Sequence, residues 1–370
     1  MRIALVHDYL VQYGGAERVL ECFTELFPYA PIYTLVYDRD AMHGIFANKE
    51  IRTSFIQKLP FAKKRHRIFP QFMPTAIEQF DLSQYDIVLS DSSSYAKGLI
   101  TSPDTLHICY MHTPMRYAWD DCQKYTSDFS FPGFIKKIIP FAMNLIRVWD
   151  RVSVERVDKL IANSNFVAKR IKKYYKRDAE VIHPPVNTRD FYVSEKTGDY
   201  FLMVGRLLAY KRHDIAIEAF NELKLPLKII GRGPEMKKLK KMAGPNIKFL
   251  GRVDDKKLAR YYAECRAFIF PQEEDFGIVA VEAMASGRPV IAFRGGDIPE
   301  HMEEGRTGVF FENQTAADIV TAVKKFEDIK FNPQYIRSQS LKFDRELFKS
   351  KIKDYIEAEL VRYKERLKNQ

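Results

Sequence analysis

At 370 residues, with 46% hydrophobic and 29% charged residues, the chain has material for about two fully cored domains and the composition of an ordinary globular protein, not a fibrous or low-complexity one. No apolar run approaches the roughly 20 residues of a membrane span, and the four cysteines (Cys22, Cys109, Cys122, Cys265) lack CxxC or metal-ligand spacing and read as reduced thiols. The net charge of +11 calls for an anionic partner, either nucleic acid, an anionic membrane or an anionic small substrate; no zinc-finger spacing or aromatic RNA-binding signature accompanies it, which argues against nucleic acid.

The chain opens straight into an apolar strand, Ile3 to Val6, and not into a signal peptide, so a cytoplasmic protein is expected. Gly14-Gly15 then open a helix whose free N–H groups would favour an anion, although a glycine pair is also an ordinary turn. Further short apolar runs follow at Ile32–Tyr37, Ile87–Ser90, Leu106–Met111, Leu160–Asn163 and Val181–Ile182, separated by helical stretches. That alternation predicts a parallel sheet covered on both faces.

Two basic clusters interrupt it. One is Lys58, Lys63, Lys64, Arg65 and Arg67; the other spans 136 to 180, with twelve Lys or Arg against five Asp or Glu. Within the second, Ile135, Ile138, Ile139, Ala142, Leu145, Ile146 and Trp149 keep helical spacing while Lys136, Lys137 and Arg147 sit off the stripe. This fits a helix lying on an anionic membrane, and equally a core-facing helix with a solvated basic side.

After the polar stretch 187 to 199 the pattern restarts with Tyr200–Val204, Leu227–Ile230, Ile247–Leu250, Ala267–Phe270, Val290–Ala292 and Gly308–Phe311. Two similar α/β domains are therefore expected, 1–186 and 187–345, followed by a charged helix over 346–370. Gly205-Arg206 ends the first strand of the second domain and Lys211 follows at the next helix start, a pair of cations suited to a diphosphate. Pro271 closes the strand Ala267–Phe270, Glu274 lies in the loop, Gly277 permits close approach of backbone to a ligand, and Glu282-Ala-Met-Ala reads as the first turns of a helix ended by Gly287 and Pro289. Two carboxylates seven residues apart at the carboxyl end of a parallel strand can accept hydrogen bonds from a polyhydroxylated ligand, where a lone glutamate would read as solvated.

The segment Glu274-Asp-Phe-Gly-Ile-Val-Ala-Val-Glu-Ala-Met-Ala-Ser-Gly-Arg-Pro-Val290 resembles the signature of the retaining glycosyltransferases of family 4, and the likeness extends to Gly14-Gly15-Ala16-Glu17, to Val204-Gly205-Arg206 with Lys211, and to Gly231-Arg-Gly-Pro234. The resemblance implies a GT-B fold, two Rossmann-like domains facing a cleft, with the C-terminal helix crossing back to the first. It assigns the donor phosphates to Gly14 and Gly15 and the diphosphate to Arg206 and Lys211. It places Gly231 on the donor side, sugar hydroxyls on Glu274 and ribose hydroxyls on Glu282. It gives backbone contacts to Phe276, Gly277, Ile278 and Val279, and a base contact to Val253. His112, at a strand end where a structural histidine would also fit, is assigned to the donor sugar. Arg116, Tyr117, Trp119 and Asp120 are assigned to the acceptor side; Asp91 and Ser92 to Ser94 are further candidate acceptor contacts by their place after the third strand alone.

By the same resemblance the substrate is a nucleotide-sugar donor, with a lipid-linked or oligosaccharide acceptor. The segment His112-Thr-Pro-Met-Arg-Tyr117 looks most like enzymes of bacterial surface polysaccharide synthesis, often mannosyltransferases, which suggests GDP-mannose. A UDP-sugar transferase, an epimerase or phosphorylase of the same architecture, and a non-catalytic nucleotide-sugar binder remain as alternatives. Asp38-Arg39-Asp40 spells the DxD metal signature of the other main glycosyltransferase fold. With Arg206 and Lys211 available to neutralise the phosphates, these acids read as turn residues, and no catalytic metal or cofactor is expected.

Overall fold

The structure is a computed structural model that describes residues 1–120 and 133–369. It divides into two compact units, Met1–His183 with Phe348–Gln370, and Pro184–Leu347. Cys122 lies outside the described residues; Cys22, Cys109 and Cys265 are buried free thiols.

In the first unit seven parallel strands are ordered β3-β2-β1-β4-β5-β6-β7: β1 (Ile3–Leu10), β2 (Ile32–Tyr37), β3 (Ile51–Thr53), β4 (Ile87–Ser92), β5 (Leu106–Met111), β6 (Lys159–Ala162) and β7 (Glu180–Val181). The apolar runs continue without polar alternation because both faces are covered. Ile3 and Leu5 join one hydrophobic cluster, Ala4 and Val6 another on the opposite face. The edge strand β3 has only three residues, two of them exposed, and left no apolar run to be read in the sequence.

The second unit holds six parallel strands in the order β10-β9-β8-β11-β12-β13: β8 (Phe201–Val204), β9 (Leu227–Ile230), β10 (Ile247–Gly251), β11 (Phe268–Phe270), β12 (Val290–Phe293) and β13 (Gly308–Phe311). Phe201 and Met203 face one core cluster, Tyr200 and Leu202 the other. In each sheet the strand order reverses once, between β1 and β4 and between β8 and β11. At such a reversal the connections leave toward opposite faces, and the carboxyl ends of the two central strands open onto a crevice.

The helix Gly133–Ser153 is longer than its sequence stripe suggested and splits that stripe. Ile139, Met143, Ile146 and Trp149 pack into the first unit, whereas Leu145 faces outward with Phe141, Val148 and Val152. The side chains of Ile135, Lys136, Lys137 and Ile138 lie outside the described residues. Among the described residues no helix is long and apolar enough to cross a membrane.

The last helix, Arg345–Lys368, belongs with the first unit. Phe348, Ile352, Ile356 and Tyr363 recur on one side of it and enter the cluster built by β1, β4 and β5, with Phe348 stacked on Phe23 at 6.0 Å. Tyr363 donates its hydroxyl to Pro103 O at 2.6 Å, and Lys159 pairs with the buried Glu359 at 2.8 Å. Ile352→Ala should cost about 2–5 kcal/mol of stability in chemical denaturation, through lost transfer energy and a residual cavity. Val361→Ala on the exposed side of the same helix should change it by less than about 0.5 kcal/mol.

Candidate functional site

In the second unit the carboxyl ends of β8, β9 and β10 are laced together by backbone. Gly231 N–H donates to Gly251 O at 2.8 Å and Gly205 N–H to Ile230 O at 3.0 Å. A Cβ on Gly231, whose φ is +139°, would lie 1.8 Å from Gly205 O, so this crossing admits no side chain. The closed floor fixes where Arg206 begins, and Arg206 is exposed. Lys211, in a short 3-10 turn over Ala209–Lys211, is mostly buried and forms an ion pair with Glu274. Burial works against the Lys211 charge, but Glu274, ahead of Tyr210, outweighs it and holds the pKa above the ordinary lysine value.

Glu274 sits in the loop after β11, and Gln314 reaches across to Pro271 O at 2.8 Å at the start of that loop. Its carbonyl accepts from Asp297 N–H at 3.2 Å. Gly296, at φ +67°, makes that approach possible, since a Cβ there would stand 2.3 Å from Glu274 O. The following helix begins at Ile278 with Gly277 as its N-cap, four residues earlier than the apolar pattern indicated. Glu282 therefore lies in the second turn, 2% exposed, accepting the Tyr262 hydroxyl at 2.9 Å. The N–H groups of Ile278 and Val279 precede the first helical bonds, which Ala280 and Val281 make to Gly277 O. Phe276 turns its ring inward against His301 and Phe343, at 4.7 and 5.3 Å. Val253 is half-buried beyond β10.

In the first unit β1 and β4 pair His7 with Asp91, and β4 and β5 pair Asp91 with Tyr110. His112, just past β5, bonds Asp91 Oδ1 through Nε2 and rests edge-on against Tyr110 at 5.2 Å. Asp91, expected as an acceptor contact, is fully buried and spends both oxygens on His112 and His7. It therefore stands behind His112, out of reach of an acceptor. The N-terminus of the helix Gly15–Leu26 is also less open than expected: Glu17 Oε2 accepts the Gly14 N–H at 2.8 Å. Ser93 and Ser94 donate their N–H groups to Asp8, at 2.7 and 2.8 Å, and Tyr95 and Ala96 to its other oxygen at 2.7 and 2.6 Å. Asp8 thus fills the turn after β4.

The segment after His112, expected on the acceptor side, is pinned from behind. Arg170 donates to Thr113 Oγ1 at 2.8 Å and pairs with Asp120, which also accepts the Tyr174 hydroxyl. Trp119 Nε1 donates to the buried Asp150 at 2.7 Å, and Asp150 pairs with Lys97 at 2.5 Å. Arg116 and Tyr117 stand in the first turn of this segment; burial pushes the Tyr117 hydroxyl well above its ordinary pKa. Asp38 Oδ1 accepts from the N–H groups of Asp40 and Ala41 at 3.1 and 3.3 Å, a side-chain-stabilised turn.

Three participants escaped the sequence reading. His7 and Asp8 have no motif spacing; the register of β1 on β4 sets His7 beside Asp91 and Asp8 under the turn that follows β4. Asp297 could have been suspected from the glycine pair Gly295-Gly296 after β12. It is buried against His301, and burial, then Glu300, Asp275 and Glu274, raise its pKa well above the carboxylate range, while burial lowers His301 to about 4. Burial thus favours the uncharged form of each, and Asp297 braces the Glu274 loop through its backbone N–H. Among the described residues no group of three or more His, Cys, Asp or Glu is placed to hold a metal ion.

Comparison with known proteins bears on family and fold. Residues 13–190 match the family model Glycosyltransferase Family 4, and residues 187–342 match Glycosyl transferases group 1. An uncharacterized glycosyltransferase of Methanocaldococcus jannaschii is 31% identical over 178 residues, 47% of this chain and 50% of that protein. A D-inositol 3-phosphate glycosyltransferase of Nocardioides is 27% identical over 213 residues, 46% of each. The matches thus span about half the length of these curated relatives. The crystal structure of Anabaena HepE in complex with UDP superposes with a TM-score of 0.70 at 18% identity, covering 97% of this chain and all of that one, a likeness of fold. The two models match consecutively from residue 13 to residue 342, so the chain carries a Glycosyltransferase Family 4 domain followed by a Glycosyl transferases group 1 domain.

Proposed function

We propose that this chain is a retaining glycosyltransferase that moves a hexose from a nucleoside diphosphate to an acceptor hydroxyl. The observation that carries the reading is the grouping at the β8–β11 reversal: exposed Arg206, the Lys211–Glu274 pair, and buried Glu282 one helical segment further on. Cations at a strand end suit a diphosphate, and carboxylates beside them suit sugar and ribose hydroxyls. The acceptor hydroxyl attacks the anomeric carbon on the face from which the phosphate leaves. The carbon–phosphate-oxygen bond breaks as the new glycosidic bond forms, and the departing phosphate oxygen takes the hydroxyl proton. Arg206 and Lys211 stabilise the charge that develops on that phosphate.

Mannose from GDP-mannose, for bacterial surface polysaccharide, is the donor suggested by the His112–Tyr117 segment. A UDP-sugar is the second reading, favoured by the Anabaena structure, which holds UDP. The deciding assay offers the purified chain GDP-mannose, UDP-glucose and UDP-N-acetylglucosamine with lipid-linked and oligosaccharide acceptors. One donor should be consumed only in the presence of acceptor, and Arg206→Ala or Lys211→Ala should slow transfer about 10²–10³-fold. Turnover without acceptor would mean an epimerase or hydrolase, and effects no greater than that of a surface lysine variant would remove the two cations from the mechanism.

Charge neutralisation by Arg206 and Lys211 makes transfer independent of divalent metal. Activity should survive EDTA; complete loss, with recovery on Mn²⁺, would return Asp38 and Asp40 to consideration.

The outward stripe Phe141, Leu145, Val148 and Val152, 54–75% exposed on a helix within the strongly basic 136–180 stretch, is read as a contact with an anionic membrane, where a lipid-linked acceptor would reside. Flotation with vesicles containing phosphatidylglycerol should carry the chain upward, and Phe141→Glu with Leu145→Glu should leave it in the dense fraction. Equal flotation of the variant would assign the stripe no role at a bilayer.

A further inference from the structure

Three ionisable side chains of the first unit are used by none of the steps above, yet they are buried together. The side chains of His7, Glu17 and Asp91 are 4%, 7% and 0% exposed. His7 Nδ1 lies 2.8 Å from Asp91 Oδ2, and its Nε2 lies 3.6 Å from Glu17 Oε1. At one end Glu17 holds the Gly14 N–H, and at the other Asp91 holds His112 Nε2. A continuous row therefore runs from the glycine turn, through β1 and β4, to the residue after β5.

Desolvating three such groups is expensive, and apolar side chains of similar volume would pack the same space at less cost. The row also has a direction. Burial opposes a charge on His7, but the hydrogen bond to Asp91 and the nearby Glu17 carboxylate outweigh it and raise its pKa to about 10. Two carboxylates against one imidazolium leave one net negative charge, presented to His112 by Asp91. The other groups near Asp91 add little net charge. Cys109, pushed up to about 12 by burial, and Tyr110 face Asp91 from β5 as neutral groups, and Asp8 and Lys97, of opposite sign, both act on Cys109.

We propose that Glu17, His7 and Asp91 are positioning residues that hold the His112 ring with Nε2–H on Asp91 and Nδ1 turned away from it, in fixed register with the Gly14–Gly15 turn. The fixed ring offers a single nitrogen to whatever His112 meets, and the glycine turn and the histidine move as one piece. The proposal builds on the reading of His112 as a donor-sugar contact, but its structural part is measurable without any substrate.

The test is histidine-selective NMR titration of the full chain, with His7 and His112 assigned by the signals lost in His7→Gln and His112→Gln. In the wild type His7 should keep its proton well above neutral pH. His7→Gln removes a buried cation and should raise the His112 midpoint by about one pH unit, whereas Glu17→Gln removes an anion and should lower it. Opposite signs are not expected of two variants that merely loosen packing. A wild-type His7 that titrates below neutrality, or a His112 midpoint unmoved by both substitutions, overturns the proposal. If His7→Gln does not fold, the wild-type His7 titration and the Glu17→Gln shift decide. In the transfer assay His7→Gln should lower kcat about 10- to 100-fold with nucleoside diphosphate binding unchanged. Shifts of the expected signs in a chain that transfers nothing would uphold the positioning and sink the transferase reading alone.

Discussion

Everything polar in this molecule is governed by one constraint: its parallel sheets are covered on both faces, so their interiors take apolar side chains and chemistry is left to the strand ends. The β1–β4 and β8–β11 reversals then select two ends in particular. At β8 and β9 the closure is made by backbone against backbone, at the Gly231–Gly205 crossing, which brings the chain to Arg206 without intervening side chains. At β1 and β4 it is made by carboxylates, Asp8 filling the turn after β4 and Asp91 lying between two histidines. Similar topologies thus arrive at opposite surfaces: the second unit presents exposed cation, the first keeps its charges beneath the surface.

Several of the buried charges are paired locally. Lys97 with Asp150, Lys211 with Glu274, and Lys159 with Glu359 are all close pairs whose acidic partner is largely buried. Such pairs contribute little net stability compared with apolar packing, but removing one partner costs about 3–5 kcal/mol, so they fix geometry more than they add cohesion. The Lys97–Asp150 pair shows the use made of that: it ties the helix bearing Asp150 to the turn after β4 and, through Trp119, to the segment that follows His112.

Much of this was legible in the sequence. Apolar runs bounded by glycine and proline located all the strands except β3, because a doubly covered parallel strand writes itself as an unbroken hydrophobic run. Glu274, Arg206 and Lys211 were legible because glycines punctuate their loops. Two kinds of information were not. The helix start at Ile278 was obscured because Phe276-Gly-Ile-Val279 looks the same whether it continues a loop or begins a buried helix. The His7–Glu17–Asp91 row was invisible because it depends on strand register between segments 84 residues apart, which no local spacing encodes. The outward set Phe141, Leu145, Val148 and Val152 was hidden for a third reason: two apolar stripes on one helix overlap in a linear reading and separate only when one has a core to face.

If Lys211 takes the donor phosphates as proposed, its pairing with Glu274 also bears on which ligands are turned away. A ligand that brings phosphates alone must draw Lys211 from its carboxylate, leaving Glu274 in a largely enclosed position with nothing in exchange. A ligand that brings hydroxyls along with its phosphates supplies Glu274 with new donors as it takes the ammonium. On the proposed reading the pair sets free phosphate at a disadvantage against an intact sugar conjugate.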